Sequence, residues 1–231
     1  MPLTLVALSR TVCYLLAILA LAGGLSRVLA EADFEHMERI ALARHGDAVA
    51  EQVRDWRAML GEAAALETAD QLARVNGFFN RRVRFEDDIV VWRQADYWAT
   101  PLEMLARGAG DCEDFAIAKY ASLIALGMPA ERLRLIYVRA RIGGPQSTVS
   151  QAHMVVGYFE SADAEPLILD NLVGEIRPAS RRPDLFPIFS FTSEGLWVQG
   201  ASTSSADPTA RLSRWRSVLE RMASEGLELR K

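Results

Sequence analysis

Gly110-Asp111-Cys112-Glu113-Asp114-Phe115-Ala116-Ile117-Ala118-Lys119-Tyr120 is the stretch on which the reading of this chain turns. Asp111 suits a helix N-cap, because its carboxylate accepts from backbone N–H groups that have no partner inside the helix. Asp114, three residues on, completes a near capping-box arrangement. Ile117, Tyr120, Ala121 and Ile124 keep the i, i+3, i+4, i+7 spacing, which predicts a helix over Asp111 to Leu126 with one buried face. Gly127 stops it and Pro129 follows. Cys112 therefore sits at a helix start, where backbone N–H groups and the helix dipole favour a thiolate.

Upstream, residues from Glu35 to Asn80 read as two or three helices punctuated by Gly46 and Gly61. Arg81 to Val91 suggests a short extended segment, and Trp92 to Gly110 a loop-rich approach. Downstream the period changes. Leu133–Ile142, Gln151–Phe159, Leu167–Leu172 and Ser190–Val198 are rich in strand formers, with a polar turn between the second and third. Helices followed by antiparallel strands imply an α+β fold. Ala201 to Ala206 is a polar linker, and Asp207-Pro208 opens a last helix with Asp as cap and Pro at its first position.

The first thirty residues have the form of an export signal. Arg10 is a short basic region, Val12 to Ala22 an apolar run, and Val28-Leu29-Ala30 a peptidase-like site. The apolar run is shorter than the ~20 residues that span a bilayer with ease; an uncleaved N-terminal anchor is the alternative. The expected organisation is a signal over 1–30 and one domain over 31–231, with a periplasmic location. The chain has two cysteines, and Cys13 lies inside the signal, so Cys112 is the only one left in the exported body. Exported proteins usually pair their cysteines, so a single retained thiol points to chemistry. A formal charge of −4 without a Lys/Arg block argues against a nucleic-acid partner.

If Gln151–Phe159 and Leu167–Leu172 form a hairpin, His153 and Asp170 share its open end. Asp170 then orients the imidazole, and Cys112 at the helix start supplies a nucleophile: thiol, base and orienting carboxylate in series. Each residue alone has a plainer reading: an inert buried thiol, a structural histidine, a strand-ending aspartate. His36 and His45 read as surface residues. Arg211, Arg214, Arg216 and Arg221 on the last helix are either a docking face or a solvated one. Asp111, Glu113 and Asp114 oppose a thiolate by like charge. Their density of oxygen ligands is also what Ca²⁺ prefers, so a bound cation would remove the conflict.

Four ordered blocks carry a resemblance. They are Tyr97-Trp98-Ala99-Thr100-Pro101-Leu102-Glu103, Gly110 to Tyr120, Ala152-His153-Met154-Val155-Val156 and Leu169-Asp170-Asn171-Leu172. Together they resemble the signature of the bacterial transglutaminase-like cysteine proteinases over about Val75 to Trp197. The resemblance implies a papain-like/transglutaminase-like α+β fold with Cys112, His153 and Asp170 as catalytic triad. It implies a calcium ion held by Asp111 and Glu113, and places Trp98 beside the substrate cleft. It further implies a large surface adhesin as substrate, cut in its N-terminal region beside paired alanines. An inner-membrane cyclic di-GMP receptor is the implied regulator, with biofilm dispersal as the outcome. Thr192 departs from the family pattern, which has a polar amide there. Other uses of the same residues are amide transfer or crosslinking, cell-wall peptide hydrolysis, or a catalytically silent receptor-docking module.

Overall fold

A computed structural model describes residues 32–198, 204 and 206–229. The signal-like segment and most of the Ala201–Ala206 linker lie outside the described residues. The helical half opens with α1 (Phe34–His45), α2 (Asp47–Ala63) and α3 (Thr68–Arg82). Asp33 caps α1 by accepting from His36 N at 2.8 Å. Gly46, at φ +89°, supplies at the turn from α1 into α2 a backbone conformation that residues with a side chain rarely adopt. Gly61 does not punctuate: it lies inside α2, and the second break falls between Ala63 and Thr68.

Three short elements follow: β1 (Arg84–Phe85), α4 (Asp88–Val91) and α5 (Pro101–Arg107). The expected loop before Gly110 thus contains a helix. Thr100 and Glu103 form a full capping box with Pro101 at the first helical position, a start signal present in the sequence but outweighed by the surrounding loop-like composition. Next come β2 (Ala109–Gly110) and α6 (Cys112–Ala125). In α6, Asp111 is the N-cap and Asp114 closes its capping box, as the sequence predicts. The single buried face does not hold: every α6 residue except Glu113 is buried. Helix α6 is enclosed by other elements, so an amphipathic reading underestimates its burial.

The strands are β3 (Leu133–Arg141), β4 (Ser150–Tyr158), β5 (Leu167–Leu169), β6 (Arg177–Pro178), β7 (Leu185–Phe191) and β8 (Leu196–Val198). They form one antiparallel sheet in the order β6-β5-β4-β3-β7-β8. The run expected over Ser190–Val198 is two strands with a turn, and β7 begins earlier, at Leu185. Two helices close the chain, α7 (Pro208–Arg211) and α8 (Ser213–Ser224), where one was expected. Asp207 caps the first of them as foreseen.

The core joins the two halves. Trp56 of α2 is fully buried between Phe34 (ring centroids 5.1 Å apart) and Phe79 (6.0 Å). Its Nε1 donates to Ser122 Oγ on α6 at 2.9 Å, so the indole is satisfied where it is buried. Met154 and Val156 of β4 join this core, whereas Val155 packs with Ile136, Val138 and Ile168 in a second cluster, the alternation expected of a sheet with apolar cover on both faces. Among the described residues, no helix is long and apolar enough to cross a membrane.

Candidate active site and acid cluster

The site assembles at the N-terminus of α6 and the open end of the β4–β5 hairpin. Pairing of Val156 with Leu169 sets the register, so the chain leaves β5 at Asp170 on the same end as His153. The hydrogen bond anticipated from the sequence is present: His153 Nε2 lies 2.8 Å from Asp170 Oδ1, with both side chains fully buried. His153 Nδ1 has no hydrogen-bond partner among the described residues. Asp170 is held from several further directions. Leu172 N–H donates to Oδ1 at 3.0 Å, Arg182 Nη2 to Oδ2 at 2.7 Å, and Asn80 Nδ2 to the Asp170 carbonyl at 2.8 Å. Burial alone would raise the carboxyl pKa, but the His153 and Leu172 hydrogen bonds and the Arg182 guanidinium outweigh it and hold it at about 2. Arg182 and Asn80 carry no motif in the sequence that would have singled them out.

Cys112 is a free, buried thiol at the first position of α6. Its Sγ donates to Glu113 Oε2 at 2.7 Å, and the N–H of Met154, next to His153, faces the sulfur. The thiol pKa is pushed up by burial, then by the charges of Glu113 and Asp111; the Met154 N–H acts the other way. The like-charge conflict foreseen from the sequence is therefore real: with only these acids around it, the thiol stays protonated.

Those acids form a larger cluster than the sequence shows. Asp88 joins Asp111 and Asp114, with one ligand atom from each within 4.8 Å of the others, and Asp111 and Glu113 make a second such group with Cys112. Parallel pairing of Phe85 with Gly110 and of Arg84 with Ala109 brings Asp88 there, and Glu86 N donates to Gly110 O at 3.0 Å. A two-residue bridge between distant segments leaves no periodic trace. Gly110 is needed at the join, since a Cβ on it would come within 2.6 Å of Asp114 Oδ2. Burial, then mutual repulsion, lifts the carboxyl of Asp111 to about 10 and that of Asp114 to about 8. Asp88 rises to about 6, with burial the main cause and the Tyr97 N–H opposing it.

The donor set fits a hard cation. Asp88 Oδ1 is buried and has no hydrogen-bond donor among the described residues. Asp114, by contrast, spends its oxygens on backbone: Oδ1 accepts from Ala99 N at 2.6 Å and Oδ2 from Asp111 N at 3.4 Å. Asp111 is common to both groups, with Asp88 on one side and Glu113 on the other, so these three carboxylates are the candidate metal ligands and Asp114 lies against Asp88 and Asp111, tied to the backbone. An all-oxygen, carboxylate-rich set suits Ca²⁺.

Trp98 is 7% exposed. Its ring stacks on Phe191 (5.8 Å, 16°) and its Nε1 donates to Asp96 Oδ1 at 3.0 Å. It also borders an open cleft of about 420 Å³ shared with Asp96, Tyr97, Arg214 and Arg221. Of the four arginines expected on one last helix, Arg211 lies on α7, and Arg211, Arg214 and Arg216 are exposed, whereas Arg221 is turned inward onto Tyr97, Trp98 and Glu103. His36, read as a surface residue, is half-buried, and its Nε2 meets the Ser224 carbonyl at 3.2 Å. Thr192 is buried, accepting from Glu194 N and Gly195 N through Oγ1 and from Trp215 Nε1 through its carbonyl.

Comparison with known proteins identifies the family and the fold. The family model described as bacterial transglutaminase-like cysteine proteinase matches residues 47–202. Calcium-bound LapG of Legionella pneumophila is 37% identical with a TM-score of 0.70, the match covering 82% of this chain and 98% of that one. EGTA-treated LapG is also 37% identical, with a TM-score of 0.71 and coverage of 82% and 97%. No curated protein sequence matches. This chain belongs to the bacterial transglutaminase-like cysteine proteinase family and has its α+β fold.

Proposed function

We propose that this protein is a calcium-dependent cysteine endopeptidase using Cys112, His153 and Asp170. The observation that carries the reading is the buried imidazole. Its Nε2 is committed to an ionised Asp170, and its Nδ1 has no partner among the described residues, on the strand whose next residue, Met154, turns its N–H to the thiol. Nδ1 is the base that takes the Cys112 proton, and Asp170 stabilises the imidazolium that results. The thiolate sulfur then forms a bond to the scissile carbonyl carbon, and the carbonyl oxygen takes the negative charge. The Glu113 and Asp114 N–H groups are taken by the Asp111 cap, so among the first N–H groups of α6 it is that of Cys112 itself that would help stabilise the oxyanion. His153 returns its proton to the leaving amine, and water attacks the thioester to release the acid and regenerate the thiol.

Asp88, Asp111 and Glu113 would hold Ca²⁺. The ion, when bound, cancels the negative potential that otherwise keeps Cys112 protonated. The calcium-bound structure of LapG supports calcium as the ion, and the ligand set rests on the acid cluster of this chain. The sequence resemblance extends the proposal to a periplasmic enzyme, exported by its N-terminal segment, that cuts a large surface adhesin in its N-terminal region. An inner-membrane cyclic di-GMP receptor would restrain it, and its release would disperse a biofilm. The test is cleavage of an N-terminal adhesin fragment containing paired alanines, from the same genome, with calcium, with chelator and with Cys112→Ala. Cutting only by wild type with calcium is expected. No cutting by folded wild type in calcium would point to another acyl acceptor or to a docking module.

A further inference from the structure

Two peptide groups in the loop between α4 and α5 stand between opposite charges. The peptide joining Asp96 to Tyr97 accepts at its oxygen from Arg214 Nε (2.8 Å), and its N–H donates to Asp88 Oδ2. The peptide joining Trp98 to Ala99 accepts at its oxygen from Arg221 Nη2, and its N–H donates to Asp114 Oδ1 (2.6 Å). In a trans peptide the C=O and N–H point in opposite directions, so each plane bridges a guanidinium on one side and a carboxylate on the other. Both arginines come from α8, near the end of the chain, and both aspartates belong to the acid cluster. Hydrogen bonds arranged in series polarise one another, so each arginine strengthens the N–H that its aspartate receives.

The arginines are themselves fixed. Arg221 also donates to Tyr97 OH (2.8 Å) and Glu103 Oε2, with its guanidinium 4.8 Å from the Tyr97 ring centroid. Arg214 pairs with Asp96 Oδ2 at 3.0 Å, and Asp96 takes a left-handed φ of +60°. Residues 96–99 belong to no helix or strand. Their order therefore depends on what grips them from outside: acids on one side, α8 on the other.

We propose that Arg214 and Arg221 are positioning residues for the cation site, aiming Asp88 and Asp114 through these two peptides and so setting calcium affinity. The proposal rests on the calcium reading above. It has a sign that simple electrostatics does not share. Two cations near a cation site repel the ion, so removing them would tighten binding if charge alone mattered. Positioning requires the reverse. Linkage also requires that calcium, once bound, strengthen the docking of α8.

The test compares wild type with Arg214→Met, Arg221→Met and Arg221→Lys, starting from chelated protein. Calcium affinity is read by calorimetry, and amide hydrogen exchange at Tyr97 and Ala99 is read in chelator. Each Met variant is expected to bind calcium about tenfold more weakly, the scale seen when outer-shell support of a metal is removed. Arg221→Lys, which keeps a donor for the Trp98 carbonyl, is expected to fall between. The two amides should exchange faster in the Met variants. Arg214 has a half-exposed side chain, so its Met variant keeps the test open if Arg221→Met fails to fold. Unchanged or tighter calcium binding in a folded Met variant would overturn the proposal. Wild type that binds no calcium would defeat the metal reading instead; the exchange data would then decide the clamp alone, with retained protection refuting it.

Discussion

Lys119 offers a quantitative test of the interior behind the site. It lies on α6, seven positions past Cys112, with no exposure to solvent. Its Nζ has no hydrogen-bond partner among the described residues and sits 5.6 Å from the centroid of Phe115. Burial lowers its pKa from 10.5 to about 7, and the nearby Asp170 charge resists the fall. The native state thus binds fewer protons than the unfolded chain between about pH 7 and 10.5, and stability rises with pH across that window. The whole window is worth roughly 5 kcal/mol at ~1.4 kcal/mol per pH unit, an upper limit because interiors relax around a charge. Lys119→Met removes the ammonium and keeps an unbranched apolar stem. In calcium-saturated buffer, urea unfolding at pH 6 should find the variant more stable by about 2–4 kcal/mol. That advantage should shrink steadily towards pH 10. A variant less stable at pH 6, or a difference that ignores pH, would refute the reasoning and mean that the ammonium is paired in the native state.

Other outcomes follow from the same structure. Cys112→Ala should lose all peptidase activity while its thermal melt stays within a few degrees of wild type. Asp170→Asn should lower kcat/KM by about a hundredfold or more through loss of imidazole orientation, short of the ~10⁴ known for a serine triad; wild-type rates would mean that another group orients His153. Gly110→Ala should displace Asp114 and weaken calcium binding, measured by calorimetry on folded protein. Calcium at a hundred times its Kd should stabilise the protein by about 2.7 kcal/mol, and a melt indifferent to calcium would count against a native metal site.

Much of the architecture was legible because its signals are local. Asp111 and Asp114 announce the α6 start, Gly127 its end, and strand-rich runs place β3, β4 and β5 within a residue or three. The His153–Asp170 bond was legible because hairpin register converts sequence spacing into proximity. What stayed hidden depends on contacts between distant segments. Asp88 reaches the acid cluster through a two-residue parallel bridge, and Arg182 reaches Asp170 from beyond β6. The all-round burial of α6 follows from its neighbours, not from its own pattern. Arg221 looked like part of a charged face because four arginines share one stretch; only the fold shows it turned inward onto the loop at Tyr97 and Trp98.

The central claim is that calcium turns an inert buried thiol into a nucleophile, and alkylation of Cys112 measures this without any substrate. The rate of iodoacetamide reaction is followed against pH in calcium and in chelator, with Cys112→Ala as background. The account predicts rapid labelling at neutral pH in calcium, with an apparent pKa well below the ~8.5 of a free thiol. In chelator, labelling should stay slow until strongly alkaline pH. Equal rates in the two buffers, or faster labelling in chelator, would contradict it.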